Sequence, residues 1–173
     1  MPLYRFCPHC GAPLPPTTVP PLQVLRQDCT QCGTVHYRNA KPTAGALITR
    51  NGRLLLGKRA FEPFKDWWDV PGGFLDPWEE PEDGLAREIR EETGLSVTTK
   101  RLFAVLNDTY GDEGDYTLNF YYLAETTPGE PVACDDVTEL SWFSPTELPE
   151  RIAFTAGRKV VEAWKAAALH GDV

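Results

Sequence analysis

The stretch "GGFLDPWEEPEDGLAREIREETGL", residues 72 to 95, places Glu79 ahead of one short predicted helix and Glu88, Glu91 and Glu92 within it. Like charges at i+3 and i+4 cost a helix roughly 0.2–0.5 kcal/mol per close pair, so something must offset the crowding. At about 100° per residue, Leu85 and Ile89 mark the buried stripe, and Glu92 falls roughly 20° from Leu85 with Glu88 a little further round. The acids therefore border the core, while Arg87 and Arg90 point to the opposite side. A solvated face carrying an Arg87 to Glu91 i,i+4 ion pair is the plain alternative. It accounts poorly for carboxylates beside a core, because desolvating them is costly unless a cation neutralises them. Clustered carboxylate oxygens suit a hard divalent ion such as Mg²⁺ or Mn²⁺.

Counted from Gly73, five residues lead to Glu79, seven more follow, and then comes Arg87-Glu88-Ile89-Arg90-Glu91-Glu92-Thr93-Gly94-Leu95. This pattern resembles the Nudix box, with every fixed position filled and apolar residues at both positions that require them. Seven specified identities, at average usage of about 5–7% each, would coincide by chance on the order of once in 10⁸ starting points, so the match carries weight. The resemblance implies a loop-helix-loop motif on an α/β/α sandwich with a mixed sheet. It also implies a Mg²⁺- or Mn²⁺-dependent hydrolase that splits a nucleoside diphosphate linked to a group X.

Upstream, "CPHCG" and "CTQCG" set Cys7 and Cys10, then Cys29 and Cys32, in two C-x-x-C pairs. Such pairs read as a tetrahedral zinc site, with Gly11 and Gly33 allowing each knuckle to turn tightly. Two redox-active pairs are the alternative, weakened because neither pair opens a helix in a βαβ context. Four thiolates close the coordination shell, so the expected zinc is structural. His9 and His36 are then ordinary knuckle or surface residues. Residues 1–40 resemble a zinc ribbon, too small to build much of a core without metal. Within it, "GAPLPPTTVPP" reads as a polyproline-like loop, and a short strand is expected near "LQVLRQ". Cys134, the fifth cysteine, is expected to be a small buried apolar residue.

The remaining 41–173 make one domain of ordinary size. With 42% hydrophobic and 24% charged residues, the chain has the composition of a folded soluble protein. A formal charge of −8 argues against a broad grip on nucleic acid or anionic membrane. No apolar run is long enough to span a membrane, and "MPLYRFCPHC" is not a signal peptide, so a cytoplasmic location is expected. Around Asn51-Gly52, "AGALITRNGRLLLGKRA" reads as a hairpin. "LFAVLNDTY", "TLNFYYLAE" and "LSWFS" read as later strands, and 156–169 as a helix stopped near Gly171. In "WWDVPGG", Trp67 and Trp68 read as packing aromatics.

Carried onto these positions, the resemblance makes Glu88, Glu91 and Glu92 the carboxylate cage, with the Gly73 carbonyl as a further metal ligand. Glu79 orients the cage or binds a second ion, and Arg87 fixes a carboxylate such as Glu79 through its forked donors. The proton acceptor lies either in the box or on a later loop, where Glu139 is the first choice and Glu113 the second. Arg59 is either a phosphate contact or a solvated strand end. A zinc ribbon before the box resembles the NADH pyrophosphatase group, but "AVLNDTYGDEG" stands where that group carries S-Q-P-W-P-F-P. NADH, ADP-ribose and nucleotide sugars are the expected small-molecule substrates, with nucleoside triphosphates as the alternative. A noncatalytic nucleotide sensor and a nucleic-acid-binding ribbon are readings from other classes. The ribbon's few fixed cations, Arg5, Arg26 and Arg38, make nucleic acid a poor partner. Assembly is open between a monomer and a homodimer.

Overall fold

A computed structural model describes residues 4–15, 26–111 and 115–173. The chain divides into two compact units, Met1–Ala40 and Lys41–Val173.

In the first unit, β1 (Arg26–Asp28) pairs antiparallel with β2 (Val35–Tyr37). The rest of the strand expected near "LQVLRQ", and most of the polyproline-like loop, lie outside the described residues. Cys7 and Cys29 are buried with Leu14 beside them. Each C-x-x-C pair closes the same turn: Gly11 N–H donates to the Cys7 carbonyl at 2.9 Å, and Gly33 N–H to that of Cys29 at 2.9 Å. Both glycines have positive φ, 72° and 75°, which a Cβ would make costly.

The second unit is built on β3 (Lys41–Arg50), β4 (Arg53–Arg59), β5 (Trp68–Asp69), β6 (Gly72–Phe74), β7 (Val97–Tyr110), β8 (Asp115–Thr126) and β9 (Val137–Phe143). The main path runs β5-β4-β3-β8-β7, with β6 on β3 and β9 on β4. The sheet is mixed, because β3 and β8 run parallel from Lys41↔Thr117 to Ile48↔Ala124 while the other pairs are antiparallel. The helix α1 (Pro81–Thr93) covers one face, and α2 (Thr155–His170) belongs to the cluster on the other. Period-2 alternation sorts the apolar side chains: Leu47, Leu54 and Leu56 pack with Val160, Val161 and Trp164, whereas Ala46, Ile48 and Leu55 pack with Leu85 and Ile89. Cover on both faces explains why "LLL" in β4 is apolar throughout rather than alternating.

The register opens where β3 and β4 leave Asn51-Gly52. They pair only at Thr49↔Leu54 and Arg50↔Arg53, after which β6 takes the place beside β3 and β5 joins β4. That split makes room for the chain to turn at Gly72 toward α1. Pro81 at the first helical turn and Glu82 and Asp83 beside it suit the positive end of α1, and Gly94 (φ 68°) ends it with a bond to the Arg90 carbonyl.

Candidate active site

The centre of the site is the contact between the Gly72-Gly73 turn and α1. A Cβ on Gly72 would lie 2.1 Å from the Ala44 carbonyl oxygen, and one on Gly73 would lie 2.5 Å from the Glu88 carboxyl carbon. Only glycine lets this backbone sit against both β3 and the carboxylates. Gly72 N–H donates to Glu92 Oε2 at 2.8 Å, which pins that side chain under the turn.

On α1 the burial follows the helical angles. Leu85 and Ile89 are fully buried, and Glu92 is 5% exposed. Burial, reinforced by Asp136, raises the Glu92 carboxyl well above the usual carboxylate range, against the lowering bond from Gly72. Burial also raises Glu88, although Arg87 opposes it. Glu91 is the outermost of the three, with its side chain 47% exposed.

Arg87 does not point away from the acids. Its guanidinium folds back along the helix, with Nε and Nη2 donating to the two Glu79 oxygens at 3.0 and 2.9 Å. Nη1 reaches Glu88 at 2.8 Å and Glu91 at 3.2 Å, and Nη2 also donates to the Phe74 carbonyl. One forked cation thus joins the loop before the helix to three glutamates, and its long stem lets it reach where the Cβ direction does not. These bonds hold the Glu79 carboxyl down at about 2. The i,i+4 ion pair expected of a plain solvated face is present as well, as one arm of this network.

The later acid beside Glu92 is Asp136, which faces the same small cavity of about 20 Å³ together with Gly72 and Val137 and whose charge helps raise the Glu92 carboxyl. The segment that carries it is clamped to the end of α1: Val132 N–H donates to the Thr93 carbonyl at 2.9 Å and Cys134 N–H to that of Glu92 at 3.0 Å. Cys134 is exposed, contrary to its expected burial, because this segment binds α1 through its backbone and turns the thiol outward. Glu139 is not brought to the cage. It pairs with Lys58, directly opposite on β4, and that ammonium lies over the Trp68 ring on the α2 face. Glu113 lies outside the described residues.

Two carboxyl groups facing one small cavity, Glu92 and Asp136, favour a shared proton or a cation that neutralises them. Glu88 against Gly73 adds a further hard oxygen, a chemistry that suits a divalent ion of the Mg²⁺ type, although among the described residues these carboxylates do not converge as closely as the cysteine sulfurs. In the ribbon, the four cysteine sulfurs all lie within 4.8 Å of one another, an arrangement that fits one tetrahedral zinc. His36 is more than a surface residue there, since its Nε2 stands 3.2 Å from Cys7 Sγ.

A cleft of about 80 Å³ opens beside Gly73 on the α2 side of the sheet, lined by Asp69, Asp108, Asn119, Tyr110 and Phe154 among others. Arg59 belongs to this cleft, only 15% exposed, with Nη1 3.3 Å from Asp69 and Nη2 3.4 Å from the Tyr110 hydroxyl. Burial pushes Asp69 up to about 7 despite that guanidinium. Trp68 packs edge-on against Phe143, as expected of a packing aromatic.

A NUDIX domain model matches residues 39–164, and a Nudix N-terminal model matches 5–38. An ADP-ribose pyrophosphatase from Methanocaldococcus jannaschii is 32% identical over 118 residues, covering 68% of this chain and 69% of that protein. A NAD-capped RNA hydrolase NudC from Stutzerimonas stutzeri is 29% identical over 84% of this chain, which spans about half (50%) of that relative's length. A crystal structure of a NUDIX hydrolase from Nitrosomonas europaea superposes with a TM-score of 0.79 at 27% identity, covering 97% of this chain and 94% of the other.

Proposed function

Because this chain belongs to the NUDIX family and is a hydrolase, we propose that it is a Mg²⁺- or Mn²⁺-dependent pyrophosphohydrolase that cleaves the diphosphate bridge of a nucleoside diphosphate linked to X. The observation that carries this reading is the Gly72-Gly73 turn seated on Glu88 and Glu92, with Asp136 facing the same small cavity as Glu92. Glu88, Glu92, Asp136 and the Gly73 carbonyl would hold the ion, with Glu91 at the solvent edge. Bound there, a divalent ion neutralises phosphoryl oxygens and lowers the pKa of a water.

The chain's own groups prepare that chemistry. Arg87 takes up the charge of Glu79 and steadies Glu88, which keeps the like-charged cage compact before an ion arrives. The Gly72 N–H fixes one Glu92 oxygen and leaves the other free. Asp136 is placed to accept a proton from an attacking water. Relatives named for ADP-ribose and for NAD-capped RNA support a nucleotide-linked diphosphate as substrate. The cleft beside Gly73 would hold the nucleoside half. The same scale of site suits a small molecule rather than a nucleic acid, in line with the net charge of −8. The zinc ribbon is assigned a structural role.

The test is a screen of ADP-ribose, NADH, nucleotide sugars and nucleoside triphosphates with Mg²⁺ and with Mn²⁺, analysing both products. Metal-dependent release of a nucleoside monophosphate together with a phosphorylated X is the expected result. Turnover confined to triphosphates would replace this reading with a nucleoside triphosphate pyrophosphatase, and no turnover with any of them would leave a ligand sensor.

A further inference from the structure

Phe154, just before α2, has φ 56° and ψ 154°, a backbone conformation that is essentially confined to glycine. Its ring is held by three partners. Tyr110 stacks on it with centroids 5.4 Å apart and planes 21° from parallel, Phe64 meets it edge-on at 5.0 Å, and the Arg59 guanidinium lies 4.9 Å from its centre. A residue kept in so unfavourable a conformation by its surroundings calls for a reason at that spot.

Its position supplies one. The cleft of about 80 Å³ beside Gly73 has a neighbour of about 790 Å³, lined by Phe64, Lys65, Trp67 and Thr155, and Phe154 and Asp108 are the two residues that line both. Asp108 is committed elsewhere, since Oδ2 accepts the Ala156 N–H at the start of α2. The aromatic ring is therefore the part of the shared wall that can be removed without breaking a helix-start hydrogen bond. The smaller cleft begins at the Gly72-Gly73 turn, and its one lining cation, Arg59, is already paired with Asp69, so no excess positive charge is left to draw in phosphate and the cleft suits the uncharged nucleoside part of a substrate.

We propose that Phe154 is a partition that closes the nucleoside cleft at its far end and thereby restricts substrates to those whose base carries no bulky extension. This rests on the nucleotide reading given above. Removing the ring joins the two cavities, and glycine at this position also relieves the backbone. A residue that served packing alone would show the reverse, with stability lost and ligand preference unchanged.

The probes are AMP and N6-benzyladenosine 5′-monophosphate, titrated calorimetrically into the full-length protein and into Phe154→Gly and Phe154→Asn, with thermal unfolding of each. Asn serves as the second variant because it removes the ring while keeping a side chain, which separates loss of the ring from gain of glycine flexibility. The intact protein should bind AMP tighter than the benzylated nucleotide by about tenfold or more, as a closed pocket rejects an oversized group, and the variants should bring the two within about threefold. The unfolding midpoint of Phe154→Gly should be unchanged or higher than that of the intact protein. The same preference in all three proteins, or no binding of either nucleotide to any of them, overturns the partition. ADP-ribose turnover, measured alongside, separates the two claims. Turnover with an unchanged preference sinks the partition alone, whereas a changed preference with no turnover of any diphosphate sinks the hydrolase reading and leaves the partition standing.

Discussion

On the proposed reading the four cysteines of the ribbon and the acids of α1 each hold a cation, yet their preparation differs. Each cysteine pair lies within one tight turn, and two turns bring all four sulfurs within 4.8 Å with no cation of the protein's own between them. The acids come from a helix, the loop before it and the distant loop that carries Asp136, and Arg87 already bridges Glu79, Glu88 and Glu91. A closed thiolate shell holds its ion permanently. A cage spread over several elements and held together by an arginine can release and regain an ion and leave room for substrate.

The largest effect should come from the closed site. Cys7→Ser together with Cys29→Ser should reduce the zinc content from about one per chain to near zero and unfold the ribbon, since structural zinc sites supply apparent binding energies of about 10–16 kcal/mol. Elemental analysis and thermal unfolding of protein purified without added zinc would show it. If both properties survive unchanged, the cysteines do not form the site.

The open site should lose activity and keep its fold. Glu92→Gln should lower kcat by about 10²–10³-fold, the scale for removing one group that stabilises transition-state charge. Glu91→Gln should follow the same direction with a smaller loss, because its side chain is already half in solvent. Circular dichroism should be unaltered in both. Relief of like-charge repulsion should leave metal-free stability equal or slightly higher. Near-normal turnover in both variants would contradict the assignment.

Arg87→Lys separates the two designs further. A lysine keeps the charge but loses the fork that joins Glu79 to Glu88 and Glu91, so affinity for the catalytic ion should fall by about 10–100-fold, as is usual for partners of metal ligands. Zinc content should not change. The acid limb gives a second reading of the same contact. Glu79, held at about 2 by Arg87, contributes stability that is full above its unfolded value and is lost as pH falls toward 2. Arg87→Lys should therefore flatten the loss of stability between about pH 4.5 and 2.

The cysteine cluster and the buried acidic edge of α1 were largely legible in the sequence, for a common reason: local spacing fixes them. Two residues between cysteines define a knuckle, and 100° per residue places Glu92 beside Leu85. What was not legible depends on reach and register. A helical angle gives the direction of the Arg87 Cβ but not where five bonds of side chain will end. On β9, Leu140 and Trp142 pack with the α1 cluster, so alternation sends Glu139 to the other face, where Lys58 meets it. The bulge at Lys58/Arg59 then breaks the alternation, so the same count could not have placed Asp136. That residue reaches Glu92 because backbone bonds from Val132 and Cys134 tie its loop to the end of α1, and "ACDDVTEL" carries no visible sign of them. The pairing of Phe154 with Tyr110 and Arg59 is likewise a product of three distant segments.

The smallest expected effect lies behind the cage. Asp69 has its carboxyl raised to about 7 by burial, so in the folded protein it keeps a proton that the unfolded chain gives up near its ordinary value. Its contribution to stability is present at low pH and is lost as pH rises from about 4 to 7. Asp69→Asn, which cannot ionise, should make the metal-free unfolding midpoint less dependent on pH over that interval. A midpoint that becomes more pH-dependent would mean that Arg59 holds Asp69 ionised.

The account stands or falls on the bond that breaks. Hydrolysis of ADP-ribose in ¹⁸O-labelled water, with Mg²⁺ added to the zinc-loaded protein, should yield AMP and ribose 5-phosphate with the label on one of the two phosphates. That outcome follows from water attacking phosphorus within the diphosphate bridge at the Glu88, Glu92 and Asp136 cage. Label found only in inorganic phosphate or on a sugar carbon would contradict it.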